Sequence, residues 1–108
     1  QNSRVDARDA RRQTDLNQIR TALALYKDEN GNYPDNLNQL APDYMNELPR
    51  DPRADKMYFY TTETDSADYC LGTVMESYSN IPSDRDNECM MDLQSAGAHE
   101  AINYAISG

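Results

Sequence analysis

Four acidic residues in the C-terminal third carry side chains of the kind that bind a metal ion. Asp84, Asp86 and Glu88 alternate along the run SDRDNE, and Asp92 lies nearby. Their carboxylate oxygens are the hard donors that calcium takes in proteins. The run lacks the glycine and the distal bidentate glutamate of an EF-hand loop, so a solvated acidic turn is the favoured interpretation. The sequence therefore predicts no metal or other cofactor and leaves these four residues as weak calcium candidates.

Catalytic chemistry has few candidate groups in this chain. The one histidine, His99, falls in a predicted loop, and no GxSxG, HExxH or glycine-rich phosphate-loop pattern accompanies it. Carboxylates stand close together in many places, but in so acidic a chain their proximity does not indicate an acid–base pair. We therefore expect that the protein is not an enzyme.

The two cysteines, Cys70 and Cys89, are predicted to form a disulfide bond. An even cysteine count in a small domain with a thin core favours a disulfide wherever the compartment is oxidising. Two buried, reduced cysteines remain the alternative. Neither a CxxC redox motif nor the spacing of a zinc site is present.

Composition limits the fold that must position these groups. The chain has 108 residues, which is the size of one domain, and 38% of them are apolar, with no Trp, one Phe and eight Tyr. The core should therefore be thin and partly built of tyrosine. A formal net charge of −9 argues against nucleic acid as a partner, since such binding rests on clustered Lys and Arg.

A long helix is predicted over residues 1–30. Its apolar positions form a stripe about 120° wide, which is typical of a helix with one buried face. These positions are Leu16, Ile19, Ala22, Leu23 and Tyr26. Continued toward the N-terminus, the same stripe reaches mostly charged residues: Arg12, Asp9, Arg8 and Val5. We therefore expect the first half of the helix to protrude from the domain, together with Arg4, Arg8, Arg11 and Arg12.

The remainder of the chain predicts a loop followed by a sheet. Asn30, Gly31 and the Tyr33–Pro34 pair end the helix and turn the chain back, and residues 31–56 form a proline-rich loop with one short helical turn at DNLNQL. The runs MYFYTT and YCLGTVMES predict a hairpin across a turn at ETDSAD. ECMMDL predicts a short strand, and INYAIS predicts another. The structural core is expected to contain Leu16, Ile19, Leu23, Tyr26 and Tyr33.

The fold predicted for residues 1–108 is therefore α+β and consists of a single domain. A long N-terminal helix packs on a small antiparallel sheet of three or four strands, which with its C-terminal loops occupies residues 57–108.

Residues 10–40, ARRQTDLNQIRTALALYKDENGNYPDNLNQL, resemble the helix end and following loop of type IV pilins and type II secretion pseudopilins. The ordered features are a helix ending in Leu-x-x-Tyr (Leu23–Tyr26), then Tyr33–Pro34, then LPRDP at Leu48–Pro52. YCLGTVME, residues 69–76, resembles the second strand of these pilin-like domains. The resemblance covers residues 8–76 well and the C-terminal third weakly.

The resemblance implies a filament subunit whose natural form carries an upstream apolar segment. A prepilin peptidase would cleave the precursor, leaving a methylated N-terminus, and the apolar segment would anchor the subunit in the inner membrane before assembly into an extracellular or cell-surface filament. Its partners would be further copies of itself, other pilins or pseudopilins, the inner-membrane assembly machinery and the membrane. Arg4, Arg8, Arg11 and Arg12 would then lie near the membrane or opposite acidic surfaces of neighbouring subunits, the alternative being a solvated helix end.

Three functions follow from these observations. A pilus subunit for adhesion or motility is preferred, because the calcium-loop features are missing and two cysteines are present. The pseudopilin of the type II secretion piston is the alternative within the family. A secreted, monomeric binding module is the alternative of another class, since tyrosine-rich loops make good contact surfaces.

Overall fold

The computed structural model describes residues 3–62, 68–98 and 101–108. Helix α1 covers Ser3–Asn30 and is followed by a short 3-10 turn at Leu37–Leu40. Strand β1 (Phe59–Thr62) and strand β2 (Tyr69–Thr73) come next, then a 3-10 turn at Tyr78–Asn80, helix α2 (Asn87–Ser95) and strand β3 (Tyr104–Ser107). Residues 63–67 of the turn predicted at ETDSAD and the loop predicted at His99 lie outside the described residues.

The three strands form one antiparallel sheet in the order β1-β2-β3. Leu71 of the central strand is paired with Tyr60 on one side and with Ile106 on the other. A long N-terminal helix and a small antiparallel sheet are the architecture that the sequence predicts, so the α+β fold class is confirmed.

Helix α1 covers one face of this sheet with its apolar stripe. Leu16, Ile19 and Leu23 are no more than 1% exposed and belong to a core cluster with Tyr69 and Leu71 of β2. The residues of this cluster recur every three or four positions along α1 and every second position along β2, as expected for a helix packed on a strand. Tyr26 and Tyr33, also predicted for the core, are partly buried against the same cluster.

Helix α2 covers the opposite face of the sheet. Its Cys89 and Leu93 form a second core cluster with Cys70, Ile102 and Ala105. Every residue of β2 is buried, because this central strand is covered on both faces.

A close approach at Gly72 brings α2 and β2 together. A Cβ atom built on Gly72 would lie 2.6 Å from the Cδ1 atom of Leu93. Only glycine leaves this space free, so the sheet and α2 pack more closely here than any larger residue would permit.

The strand predicted at ECMMDL is wrong, because these residues belong to α2. Asp86 caps the helix by accepting a hydrogen bond from the backbone N–H of Cys89 at 3.0 Å. Met and Leu are good helix formers, and the capping aspartate supplies the start signal that they need.

Helix α1 ends where the sequence predicts. Gly31 takes a φ of +86°, and its N–H donates to the carbonyl of Lys27 at 2.7 Å. Helices commonly end with a residue in the left-handed backbone conformation just after the last turn. The chain then turns back, so that Leu40 is fully buried in the same core cluster as Leu16 and Leu23, and Tyr33 packs edge-on against Tyr69.

No helix in residues 3–62, 68–98 or 101–108 is long and apolar enough to cross a membrane.

Candidate functional site

The charged half of α1 is held by a buried ion cluster centred on Arg12. The Arg12 guanidinium makes a two-pronged contact with Asp51, from Nε to Oδ2 at 3.0 Å and from Nη2 to Oδ1 at 2.9 Å. Its Nη1 donates to Asp9 Oδ1 at 2.7 Å and to Glu76 Oε2 at 2.8 Å. The planar guanidinium suits such a fork of carboxylates, and these charge-assisted bonds are stronger than neutral ones.

Asp9 joins α1 to the segment that follows β2. Its carboxylate accepts the backbone N–H groups of Glu76 at 2.9 Å and Ser77 at 3.0 Å, as well as the amide of Asn80 at 2.8 Å. Burial works to raise the pKa of Asp9, but the hydrogen bonds from Asn80, from these two N–H groups and from Arg12 outweigh it. The pKa of Asp9 is therefore lowered, and the carboxylate is kept in its charged form.

Glu76 is shared by three arginines. Arg8 Nη2 donates to its Oε1 at 2.7 Å, Arg12 to its Oε2, and Arg53 Nη1 approaches Oε1 at 3.4 Å. The hydrogen bond from Arg8 is the largest cause lowering the pKa of Glu76, followed, after an opposing effect of burial, by the bond from Arg12. Together they bring this pKa from 4.5 to about 2. We call this group the Arg12 cluster; its members are Arg8, Asp9, Arg12, Asp51, Arg53 and Glu76.

The Arg12 cluster is balanced in charge and saturated with hydrogen bonds. Three guanidinium groups face three carboxylates, and each carboxylate accepts three or four hydrogen bonds. Burial works to lower the pKa of Arg12, but the hydrogen bonds to Asp51, Glu76 and Asp9 have the larger effect and raise the pKa above its ordinary value. The guanidinium therefore stays charged. A group so fully paired can join elements of the fold but offers no unpaired carboxylate to a substrate.

A second buried polar contact lies one turn further along α1. The hydroxyl of Tyr58 donates to Asp15 Oδ2 at 2.6 Å, and Arg11 Nε lies 3.6 Å from the same oxygen. Burial, with this hydrogen bond to a carboxylate, raises the pKa of Tyr58 well above its ordinary value. The contact fixes the chain just before β1 against the helix.

The expectation that Arg8 and Arg12 protrude beyond the sheet is wrong. Arg12 is 0% exposed, and Arg8 is half-buried against Glu76. Arg4 is exposed, and Arg11 keeps 60% of its side chain exposed while paired with Asp15. The charged part of the stripe is therefore packed against the domain. Asp51 and Glu76, which lie in two distant segments, provide the carboxylates that pair with its arginines.

The remaining predicted site residues are the two cysteines and the four calcium candidates, three of which, Asp86, Glu88 and Asp92, line one small cavity beside the disulfide. The disulfide between Cys70 and Cys89 is confirmed and links β2 to α2. Of the calcium candidates, Asp86 caps α2 and also accepts the Ser107 hydroxyl at 2.9 Å. The hydrogen bond from the Cys89 N–H is the main cause that lowers the pKa of Asp86.

The other three calcium candidates are exposed: Asp84, Glu88 and Asp92. Within the part of the chain that the structure describes, no group of three or more His, Cys, Asp or Glu side chains is arranged to hold a metal ion.

Comparison of the chain with protein-family models, with curated proteins and with solved structures gives no match in any of the three.

Sequence reasoning missed Asp51 and Glu76 as the partners of Arg12. Both are separated widely from Arg12 along the chain, by 39 and 64 residues. A signal was nevertheless present, because Arg12 and Asp9 continue the stripe of Leu16 and Ile19. Charged residues on the same helix face as a buried apolar stripe are expected to be buried too, which requires partners of opposite charge elsewhere in the sequence.

Proposed function

We propose that this chain is the folded domain of a type IV pilus subunit, which acts by assembling with copies of itself rather than by catalysis. The observation that carries the proposal is the placement of α1 along one face of a three-stranded antiparallel sheet. The order of helix, loop and sheet agrees with the pilin-like resemblance of residues 8–76. The family assignment rests on that resemblance.

The length of α1 gives the proposal a geometric basis. Its 28 residues extend about 42 Å, and the longest dimension of the molecule is 44 Å. An apolar helical segment that continued α1 beyond Ser3 would lie in line with it. Such a segment would anchor the subunit in the inner membrane and later pack in the filament.

The disulfide supports a compartment outside the cytoplasm. Disulfides persist in the periplasm and at cell surfaces, whereas cytoplasmic thiols are kept reduced. Cys70 and Cys89 lie on two different elements, so their bond stabilises the packing of α2 on the sheet. This supports a domain exposed on a filament, with Arg4, Arg11 and Arg20 as the exposed arginines of its helix.

The experiment is to follow the mature protein in the cells that make it. We expect antibodies to this chain to label filaments sheared from the cell surface, and mass analysis of the mature subunit to find about 20 apolar residues ahead of this sequence. A gene deletion should remove the filaments, with the complemented strain as control. Loss of protein secretion without loss of surface pili would assign the chain to a type II pseudopilus. A free protein in the culture medium with no retained apolar segment would refute the filament function and assign a secreted binding module.

A further inference from the structure

The last residue of α1 and the first residue after it form an Asn–Gly pair. Asn30 is exposed, and Gly31 follows it with a φ of +86°. In such a pair the backbone nitrogen of the glycine can attack the side-chain amide carbon of the asparagine, because glycine has no side chain to hinder the approach. The chain therefore places a chemically reactive pair at the point where α1 is closed.

The reaction of this pair is deamidation, and it needs only base and water. Hydroxide takes the proton of the Gly31 nitrogen, which forms a bond to Cγ of Asn30 and closes a succinimide ring. The bond from Cγ to Nδ2 breaks, and the amide nitrogen takes a proton from water and leaves as ammonia. A second water molecule then opens the ring at either carbonyl and yields aspartate or isoaspartate at position 30.

Both reacting groups are held in hydrogen bonds in the folded chain. The N–H of Gly31 donates to the carbonyl of Lys27 at 2.7 Å. The Asn30 amide donates to the carbonyl of Tyr26 and to the hydroxyl oxygen of Tyr44, both at 3.0 Å. Removing the proton from Gly31 would leave a negatively charged nitrogen facing the Lys27 oxygen, and the amide must leave two acceptors before Cγ can turn toward it. The closed helix end therefore opposes the reaction.

Tyr44 ties this exposed helix end to the core. Its backbone N–H donates to the carbonyl of Leu40 at 2.9 Å, and Leu40 is fully buried. Its ring packs on the ring of Tyr26, with the ring centres 5.2 Å apart. The hydroxyl that accepts from Asn30 is thus carried by a side chain that two other contacts hold in place.

We propose that Asn30 is a site of spontaneous deamidation, that the reaction proceeds through local opening of the α1 end, and that the contact with Tyr44 limits this opening. The rate in the folded protein is then the rate in the unfolded chain multiplied by the fraction of molecules in which the last turn is open. The inference does not depend on the proposed filament function, because it concerns the helix end of the folded chain in any setting.

The product should loosen the end of α1 further. A carboxylate at position 30 would stand at the negative end of the helix dipole, beside Asp28 and Glu29. It would also present an oxygen to the Tyr26 carbonyl, where the amide of Asn30 donates a hydrogen bond. Asn30→Asp reproduces this charge and should speed hydrogen exchange of the backbone N–H that follows it about twofold or more. Unchanged exchange would refute the loosening.

The test follows conversion of the Asn30 amide to acid by peptide mapping with mass spectrometry, in the 108-residue chain at mildly alkaline pH. Folded protein should react about tenfold or more slowly than protein in urea, because opening breaks three hydrogen bonds. Tyr44→Phe removes one of them and should speed the folded reaction about two- to tenfold. In urea the two chains should react equally, since the contact is absent there.

Two further variants separate local opening from other causes. Tyr58→Phe removes the buried hydrogen bond to Asp15, near the middle of α1. It should lower the urea midpoint of unfolding but leave the rate at Asn30 in the folded protein unchanged. Asn30→Gln keeps an amide on a longer side chain and should abolish the modified peptide, which assigns the signal to this position. Retention of the disulfide and a cooperative melt will show that each variant is folded.

Four results would overturn the inference: no deamidation of Asn30 in the unfolded chain, equal rates in the folded and unfolded chains, a rate that Tyr44→Phe leaves unchanged, or equal acceleration by Tyr58→Phe and Tyr44→Phe. The last would show that the reaction requires global unfolding. The comparison of folded and unfolded wild-type chains needs no variant, so it decides even if a substitution impairs folding. None of these results bears on whether the protein forms filaments.

Discussion

Replacing Arg12 with alanine should strongly destabilise the fold. The change removes four hydrogen bonds and leaves Asp9 and Asp51, which are 2% and 7% exposed, without their cation. Removing one partner of a buried ion pair costs about 3–5 kcal/mol, because the remaining charge stays buried without compensation. The whole free energy of unfolding of a domain is about 5–15 kcal/mol. Urea unfolding at pH 7, followed by circular dichroism with the disulfide intact, should show a large fall in the midpoint.

Arg11→Ala is the matched control on the adjacent position. Its side chain is 60% exposed and makes one ion pair at 3.6 Å, so its loss should cost no more than about 0.5 kcal/mol. The pair Arg12→Ala and Asp51→Ala should be less destabilising together than the sum of the two single changes, by about 1 kcal/mol or more, because the second change removes the uncompensated carboxylate. If Arg12→Ala costs as little as Arg11→Ala, the first half of α1 is not packed and the reasoning fails.

Three further predictions concern pH, the disulfide and the packing of α2. The pKa of Glu76 is lowered from 4.5 to about 2 in the folded protein, so its stabilising effect is present above pH 4.5 and is lost as the pH falls toward 2; Glu76→Gln should flatten the dependence of the urea midpoint on pH in this range. Replacing Cys70 and Cys89 together with alanine should lower the free energy of unfolding by about 3 kcal/mol, as expected for their separation of 19 residues, and an unchanged urea midpoint would contradict this. Gly72→Ala places a Cβ atom 2.6 Å from Leu93 and should cost about 1–3 kcal/mol; if the clash is the cause, Leu93→Ala should cost less in the Gly72→Ala background than in the wild type.

The fold could be predicted from local patterns wherever one element carries its own signal. The apolar stripe of α1, the alternation in β1 and β2 and the even cysteine count each depend on neighbouring residues or on simple counting. Gly31 marks the end of α1 in the same way, since a residue at φ +86° is strongly favoured to be glycine.

The Arg12 cluster could not be predicted in the same way. The stripe shows that Arg12 lies in phase with Leu16, but burial of a guanidinium depends on carboxylates that the sequence does not place near it. Asp51 comes from a proline-rich loop with no period, and Glu76 follows β2 at a bend that only the tertiary fold brings beside α1. A protruding helix and a helix buried by distant partners therefore have the same local sequence.

The short helix α2 shows the limit for brief segments. Six residues such as ECMMDL fit a strand or a helix, because a run of this length has too few repeats to establish a period. The deciding feature is the hydrogen bond from the Cys89 N–H to Asp86, together with a glycine on the sheet that admits the helix.

The arrangement of contacts along α1 has a mechanical consequence. Because α1 is nearly as long as the molecule, tension applied at Ser3 along the helix axis would load its contacts in shear, so that they share the force instead of opening one after another. Arg8 and Arg12 lie nearer the pulled end than Leu16 and Leu23, so they would transmit the force into the loop at Asp51 and the bend at Glu76 before it reached the apolar stripe. The ion pairs should therefore resist stretching before the apolar contacts do, and the half-buried Arg8 pair, which solvent reaches, should make this early resistance depend on salt.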